Sequence, residues 1–195
     1  MKARTLLRAL ALCGGAFAVG VWTTSGRGRE LDDEVFDRLH ATRGPTADAA
    51  FSGITELGSI WASVGGAAAL AVFGRRRAAA RGLAAAGIAW LLGQGMKKVF
   101  LRPRPYTAAP DRVRLLIDSP RATSWPSSHP MVLLAFLTAA SHELDVPGAG
   151  RAALTGLAGA VGVSRTYVGV HYPSDVVGGL LLGKAVGEVF SDGRR

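Results

Sequence analysis

Three short clusters in the second half of the chain contain two histidines, one carboxylate and three cations, residue types that together can transfer a phosphoryl group. They are Lys97 with Arg104-Pro105, then Pro126-Ser127-Ser128-His129, then Ser164-Arg165 followed by His171 and Asp175. A phosphoryl group in its transition state spreads negative charge over its equatorial oxygens, so catalysis depends on fixed positive charge and donors around it. Lys97, Arg104 and Arg165 suit that task, the arginines by bidentate binding and the lysine as a compact point charge. His171 is the candidate nucleophile, with Asp175 close enough in sequence to accept a hydrogen bond from its other ring nitrogen and fix the attacking tautomer. His129 is the candidate general acid for the leaving oxygen. Ser127 and Ser128, entering a helix near Met131, offer amides and hydroxyls to an anion.

Local explanations exist for each cluster alone. Pro173, Ser174 and Asp175 make a serviceable helix start, and cations at the ends of apolar runs often snorkel to a membrane interface. The joint spacing is what these explanations leave unaccounted for. Lys97 to Pro105 reads K-x-x-x-x-x-x-R-P, Pro126 to His129 reads P-S-S-H, and Ser164 to Asp175 reads S-R-x-x-x-x-x-H-x-x-x-D. This pattern resembles the type 2 phosphatidic acid phosphatase superfamily, and the stretch Thr55-Glu56-Leu57-Gly58-Ser59 is similar to that family as well. One position departs: Ser128 stands where the family usually has Gly, and a positive φ there would strain a serine. The resemblance implies a membrane lipid phosphatase that forms a phosphohistidine without metal or cofactor. Its substrate would be an anionic phospholipid or polyprenyl phosphate, such as phosphatidic acid, phosphatidylglycerol phosphate or a polyprenyl pyrophosphate. A vanadate-dependent haloperoxidase-like enzyme would use the same motifs, although that group resembles larger, soluble chains. A non-catalytic membrane protein that binds anionic headgroups is the third reading. No His, Cys and carboxylate residues fall at metal-ligand spacing.

The chain has 195 residues, 49% of them hydrophobic, and a mean hydropathy of +0.25. One domain over residues 1–195, with the motifs at 97–175, accounts for that length. The formal charge of +9 suits an anionic lipid surface or substrate. Nucleic acid fits poorly, because the basic residues sit between apolar runs with no aromatic-basic interleaving. Cys13 is the single cysteine, which excludes an intrachain disulfide and reads as a small apolar residue within a helix. No protein partner can be inferred.

To bring the clusters together, the elements between them must be helices. Apolar runs at 6–22, 60–73, 83–101, 131–144, 152–167 and 176–190 predict an all-α, integral-membrane six-helix bundle. Several are shorter than the ~20 residues that cross a hydrocarbon core. Before the second span, residues 30–40 predict an amphipathic surface helix with Leu31, Val35 and Leu39 on its apolar face, and 49–57 a short helix after it. Pro103 and Pro105 end the third run. Lys2, Arg4 and Arg8 followed by Ala16-Phe17-Ala18 could be a cleaved secretory signal, but the run continues through Trp22, which favours an uncleaved span. The positive-inside bias puts the N-terminus, Arg75 to Arg81, Arg151 and Arg194-Arg195 in the cytoplasm, and the three motifs then meet on the extracytoplasmic face of the plasma membrane. Lys98, Arg102, Arg112, Arg114 and Arg121 read as interfacial cations, the last three with the alternative of steering an anionic headgroup or holding a second phosphate, and His40 and His142 read as surface or interfacial residues.

Overall fold

Prolines and short polar caps divide the chain into helices. The computed structural model describes residues 2–41 and 44–192, so Arg194-Arg195, assigned above to the cytoplasm, lie outside the described residues. The helices are α1 (Ala3–Trp22), α2 (Gly26–Ala41), α3 (Pro45–Thr55), α4 (Ile60–Val72), α5 (Arg76–Val99), α6 (Pro105–Ala108), α7 (Ser128–Glu143), α8 (Gly148–Tyr167) and α9 (Pro173–Ser191), with a 3₁₀ turn at Glu56–Gly58. All regular structure among the described residues is helical. Pro45, Pro105 and Pro173 each occupy the first turn of a helix, where a missing N–H costs nothing. The Ser59 side chain caps α4 by accepting from the Ala62 amide at 3.0 Å.

The centre is α7, which packs against α5, α8 and α9, while α1 lies on α9 and α4 on α5. Its residues from Pro130 to Phe136 are all buried, as expected of a helix apolar on every side. Small residues let the helices approach closely. On α9, Gly179, Gly183 and Gly187 fall on one face, and a Cβ on either of the first two would come within 2.3 Å of a carbonyl oxygen, that of Ser127 or Met131. Ala16 of α1 is fully buried in a cluster with Trp125, Met131 and Leu182, so the first helix is part of the bundle.

Two expectations are revised. The buried stripe of α2 is Gly28, Asp32, Phe36 and His40, whereas Leu31 and Val35 are 48% and 40% exposed. The helix is rotated so that its polar Asp32 and His40 face the protein. His40 is therefore no surface residue: its Nδ1 lies 3.0 Å from the Tyr167 carbonyl, and its Nε2 accepts from the Arg114 amide at 3.0 Å. As for membrane spans, among the described residues only α1 is by itself long and apolar enough to cross, and α3 with its 3₁₀ turn and α4 would pass as a pair bent by 66°. The remaining long helices fall short because charges lie within them, as with Arg76, Arg77 and Arg81 at the start of α5. Large apolar side chains nonetheless cover the outside of α1, α4 and α5, among them Leu7, Phe17, Trp61, Val72, Leu91 and Val99, all exposed.

Candidate active site

The third cluster owes its spacing to a helix end. Gly169, with φ of +87°, turns the chain out of α8 in a backbone region open to glycine. The amides of Val170 and His171 both then donate to the Arg165 carbonyl at 3.2 Å. Tyr172, extended before Pro173 as a pre-proline residue must be, leads into α9. This places Asp175 in the first turn of α9, where its Oδ2 accepts the Tyr172 amide at 2.9 Å. The same oxygen lies 3.3 Å from His171 Nδ1. Capping the helix and holding the imidazole are thus done by one carboxylate.

The tautomer follows from the partners. Arg104 Nη1 lies 3.1 Å from His171 Nε2, and a guanidinium can only donate. Nε2 must therefore be the acceptor, and the ring proton sits on Nδ1 facing Asp175. Burial, and after it the Arg104 guanidinium, push the His171 pKa well below its usual range, which keeps the ring neutral with a lone pair on Nε2. Arg104 also donates from Nε to the Ala122 carbonyl at 2.6 Å and from Nη1 to that of Val170 at 2.8 Å. Its extended backbone is set by Pro105.

His171, His129, Ser128, Lys97, Arg104 and Arg165 line one cavity of about 320 Å³. Trp61, Trp90, Gln94 and Arg121 also form part of its wall. Arg165 enters from α8 and is oriented by the Thr55 hydroxyl, which accepts from its Nη1 at 2.9 Å. His129 rests against Gly58, where a Cβ would fall 2.6 Å from the His129 Cβ. The Thr55 to Ser59 stretch thus backs two of the cavity's charged or titratable groups. Lys97 is buried, and its ammonium donates to the carbonyls of Thr123, Ser124 and Pro126 at 3.1, 3.3 and 2.7 Å. With three protons so occupied, Lys97 ties the 123–126 loop to α5.

The two serines separate. Ser128 lines the cavity, whereas Ser127 is fully buried behind it and donates its amide to the Asp175 carbonyl at 2.9 Å. The expectation that Ser127 presents its amide to a phosphate is corrected accordingly: it ties α7 to α9. Ser128 is helical, and the one positive-φ residue other than glycine among the described residues is Asp145, so no backbone strain attends the serine. Its hydroxyl faces α5, where Gly93 leaves it room.

Several expected interfacial cations are instead paired. Arg114 is bidentate to Asp48 at 2.8 and 2.9 Å, and Arg112 pairs with Asp37. Arg102 donates to Asp175 Oδ1 at 3.0 Å and to Asp32 Oδ2 at 2.6 Å, and lies over the Tyr172 ring at 4.1 Å. Ser124, missed in the sequence, donates its hydroxyl to Asp175 Oδ2. None of these partnerships has a local sequence signal, since each joins residues far apart in the chain. Among the described residues no group of His, Cys, Asp and Glu is placed to hold a metal ion.

Fold and cluster together define a class: an all-α bundle with a carboxylate-held histidine facing cationic groups at one end. The chain belongs to the PAP2 superfamily, whose sequence profile matches residues 78–192. It is 33% identical over 121 residues to decaprenylphosphoryl-5-phosphoribose phosphatase of Mycobacterium tuberculosis, covering 62% of this chain and 64% of that one. It is 34% identical over 100 residues to undecaprenyl-diphosphatase of Sulfolobus acidocaldarius, covering 49% and 45%. The chain thus spans between 45% and 64% of the length of these curated relatives. The crystal structure of a transmembrane PAP2-type phosphatidylglycerolphosphate phosphatase from Bacillus subtilis shares the fold, with a TM-score of 0.75 at 22% identity over 94% of each chain.

Proposed function

We propose that this chain is a membrane lipid phosphatase that hydrolyses a phosphomonoester or pyrophosphate on a lipid through a phosphohistidine at His171. The observation that carries the reading is the His171 ring: Nδ1 against Asp175, Nε2 at Arg104, in one cavity with Arg165, Lys97 and His129. Nε2 attacks phosphorus and forms the N–P bond as the bond from phosphorus to the lipid-side oxygen breaks. His129 gives that oxygen its proton. Water then attacks the phosphoimidazole, His129 takes the water's proton, and inorganic phosphate leaves with the N–P bond broken. Arg104 and Arg165 stabilise the charge on the transferring group, and Ser128 lines its pocket. That two relatives are named for polyprenyl-linked substrates, decaprenylphosphoryl-5-phosphoribose and undecaprenyl diphosphate, favours a polyprenyl-linked phosphate or pyrophosphate over a glycerophospholipid. The non-catalytic reading loses its main support, because Ser128 sits in unstrained helix.

We place α1, α4, α5, α7, α8 and α9 in the membrane as one domain, with α2 on the surface that carries the site and α3 leading into α4. The apolar exteriors of α1, α4 and α5 support this. At the end of the bundle away from the site Arg81 pairs with Glu143, and the backbone amide of Lys2 donates to the Asp192 carboxylate. The basic residues at that end favour a cytoplasmic position for it and an extracytoplasmic one for the site.

The test is phosphate release by the reconstituted protein from polyprenyl pyrophosphate, phosphatidic acid and phosphatidylglycerol phosphate. At least one should turn over, through an alkali-stable, acid-labile phosphoenzyme absent from His171→Ala. His129→Ala should lose turnover of the lipid yet partly retain that of an activated aryl phosphate, whose leaving group needs no proton. Turnover without a phosphoenzyme, or none on any substrate, would overturn the reading.

A further inference from the structure

Behind the cavity a second carboxylate reaches the nucleophile through an arginine. Asp32, on α2, is 6% exposed and makes three hydrogen bonds. Its Oδ2 accepts Arg102 Nη2 at 2.6 Å and the Ser174 hydroxyl at 2.5 Å, and its Oδ1 accepts the Ser174 amide at 2.8 Å. From Arg102, Nη1 continues to Asp175 Oδ1 at 3.0 Å and to the Ser174 hydroxyl at 2.7 Å. Asp175 Oδ2 then holds His171. The line His171, Asp175, Arg102, Asp32 crosses from the last helix to the second, and of its four residues His171 alone borders the phosphate cavity.

Resting on the phosphohistidine reading above, we infer that Asp32 and Arg102 are positioning residues for the nucleophile, with Asp32 setting how much of the Asp175 charge His171 feels. The electrostatics give the direction. Arg102 alone would offset the charge of Asp175, so that the imidazole would face a neutral pair. Asp32 returns Arg102 to balance, and the three together carry one net negative charge to stabilise the ring as it becomes cationic on phosphorylation. Position is fixed in the same way. Arg102 uses both arms of its guanidinium, and Ser174 receives Asp32 at two atoms while lying next to Asp175 in the first turn of α9. The docking of α2 thereby fixes the residue that orients the histidine.

Asp32→Asn keeps the shape and removes the charge. The rate of phosphoenzyme formation should fall on the order of tenfold, the effect of about one pKa unit of interaction, in kcat with KM unmoved, since Asp32 does not reach the cavity. The acid limb of the rate should move to lower pH, because a lost negative charge makes the ring harder to protonate. His171 also faces Arg104 from the loop, Lys97 from α5, Arg165 from α8 and His129 from α7, all unchanged in this variant. Arg102→Lys, which retains charge but cannot bridge two carboxylates, should show a similar fall. Glu34→Gln, an exposed residue on the same helix that pairs with Arg38, serves as the unaffected control. If wild type forms no phosphoenzyme, the functional reading itself fails. If wild type does and Asp32→Asn matches it in rate and pH profile, or loses only thermal stability, Asp32 is structural and the inference is wrong. Should Asp32→Asn fail to fold, Ser174→Ala, which removes one bridging hydroxyl, must show the same kcat loss at a smaller size, and wild-type kinetics there would equally overturn it.

Discussion

Arg104 guards the atom it is proposed to assist. Its Nη1 donates to His171 Nε2, so attack on phosphorus requires that this N–H turn from the ring to the incoming phosphate, which frees the lone pair as the substrate arrives. The same guanidinium is the largest charge holding the His171 pKa down after burial. Replacing it by a neutral group therefore has two separable effects. Arg104→Gln should lower kcat/KM by roughly 10²- to 10³-fold, the scale of losing one transition-state donor. It should also move the acid limb toward higher pH, because a lost positive neighbour lets the ring bind a proton more readily. An unmoved limb would show that Arg104 does not act on the ring. The motif residues were legible in the sequence because their spacing follows from local geometry: the turn at Gly169 fixes Arg165 to His171, and the first turn of α9 fixes His171 to Asp175. Arg102 and Asp32 were not legible, because what distinguishes a buried bridging arginine from a snorkelling one is a partner 70 residues away.

Among the elements, α9 determines the site most directly, since its N-terminal turn carries Asp175 and its glycine face seats it on α7. A Cβ at Gly183 would fall 2.3 Å from the Met131 carbonyl oxygen, a backbone atom that cannot move aside alone. Gly183→Ala should cost about 1–3 kcal/mol of stability, the usual scale of overpacking, and reduce activity by shifting Asp175 against His171. Gly87→Ala on α5 has nothing within 4 Å of the added methyl and should be neutral or stabilising by about 0.5–1 kcal/mol. Thermal unfolding of the two variants in detergent checks the contrast, and equal melting points would refute the tight seating of α9. The helices themselves were visible as apolar runs, and their ends as prolines and caps. The orientation of α2 was not, because Leu31, Val35 and Leu39 define a proper apolar stripe. Hydrogen bonds from Asp32 and His40 outweigh it, and the outward leucine and valine need no burial in the protein if lipid or interface receives them.

For the whole molecule, the proposed orientation of the bundle rests on the arrangement of charge. One end carries the cavity with Lys97, Arg104 and Arg165, cations held by carbonyls, hydroxyls and a histidine within the protein. The other end has Arg76 and Arg77 at the start of α5, both exposed, where positive charge can respond to the positive-inside bias. Separating these two sets by their partners, not by sequence alone, leaves the second set to decide orientation. Reporter fusions after Phe73 and after Leu144 should then read cytoplasmic, and a fusion near Asp111 extracytoplasmic. Six membrane-embedded helices give that pattern even though α4 has 13 residues, a length of roughly 20 Å at 1.5 Å per residue that falls short of a hydrocarbon core of about 30 Å. The shortfall is met if α3 and its 3₁₀ turn continue α4 across the 66° bend. A fusion after Phe73 that reads extracytoplasmic would mean α4 does not cross, would invert every later helix, and would turn the cavity toward the cytoplasm.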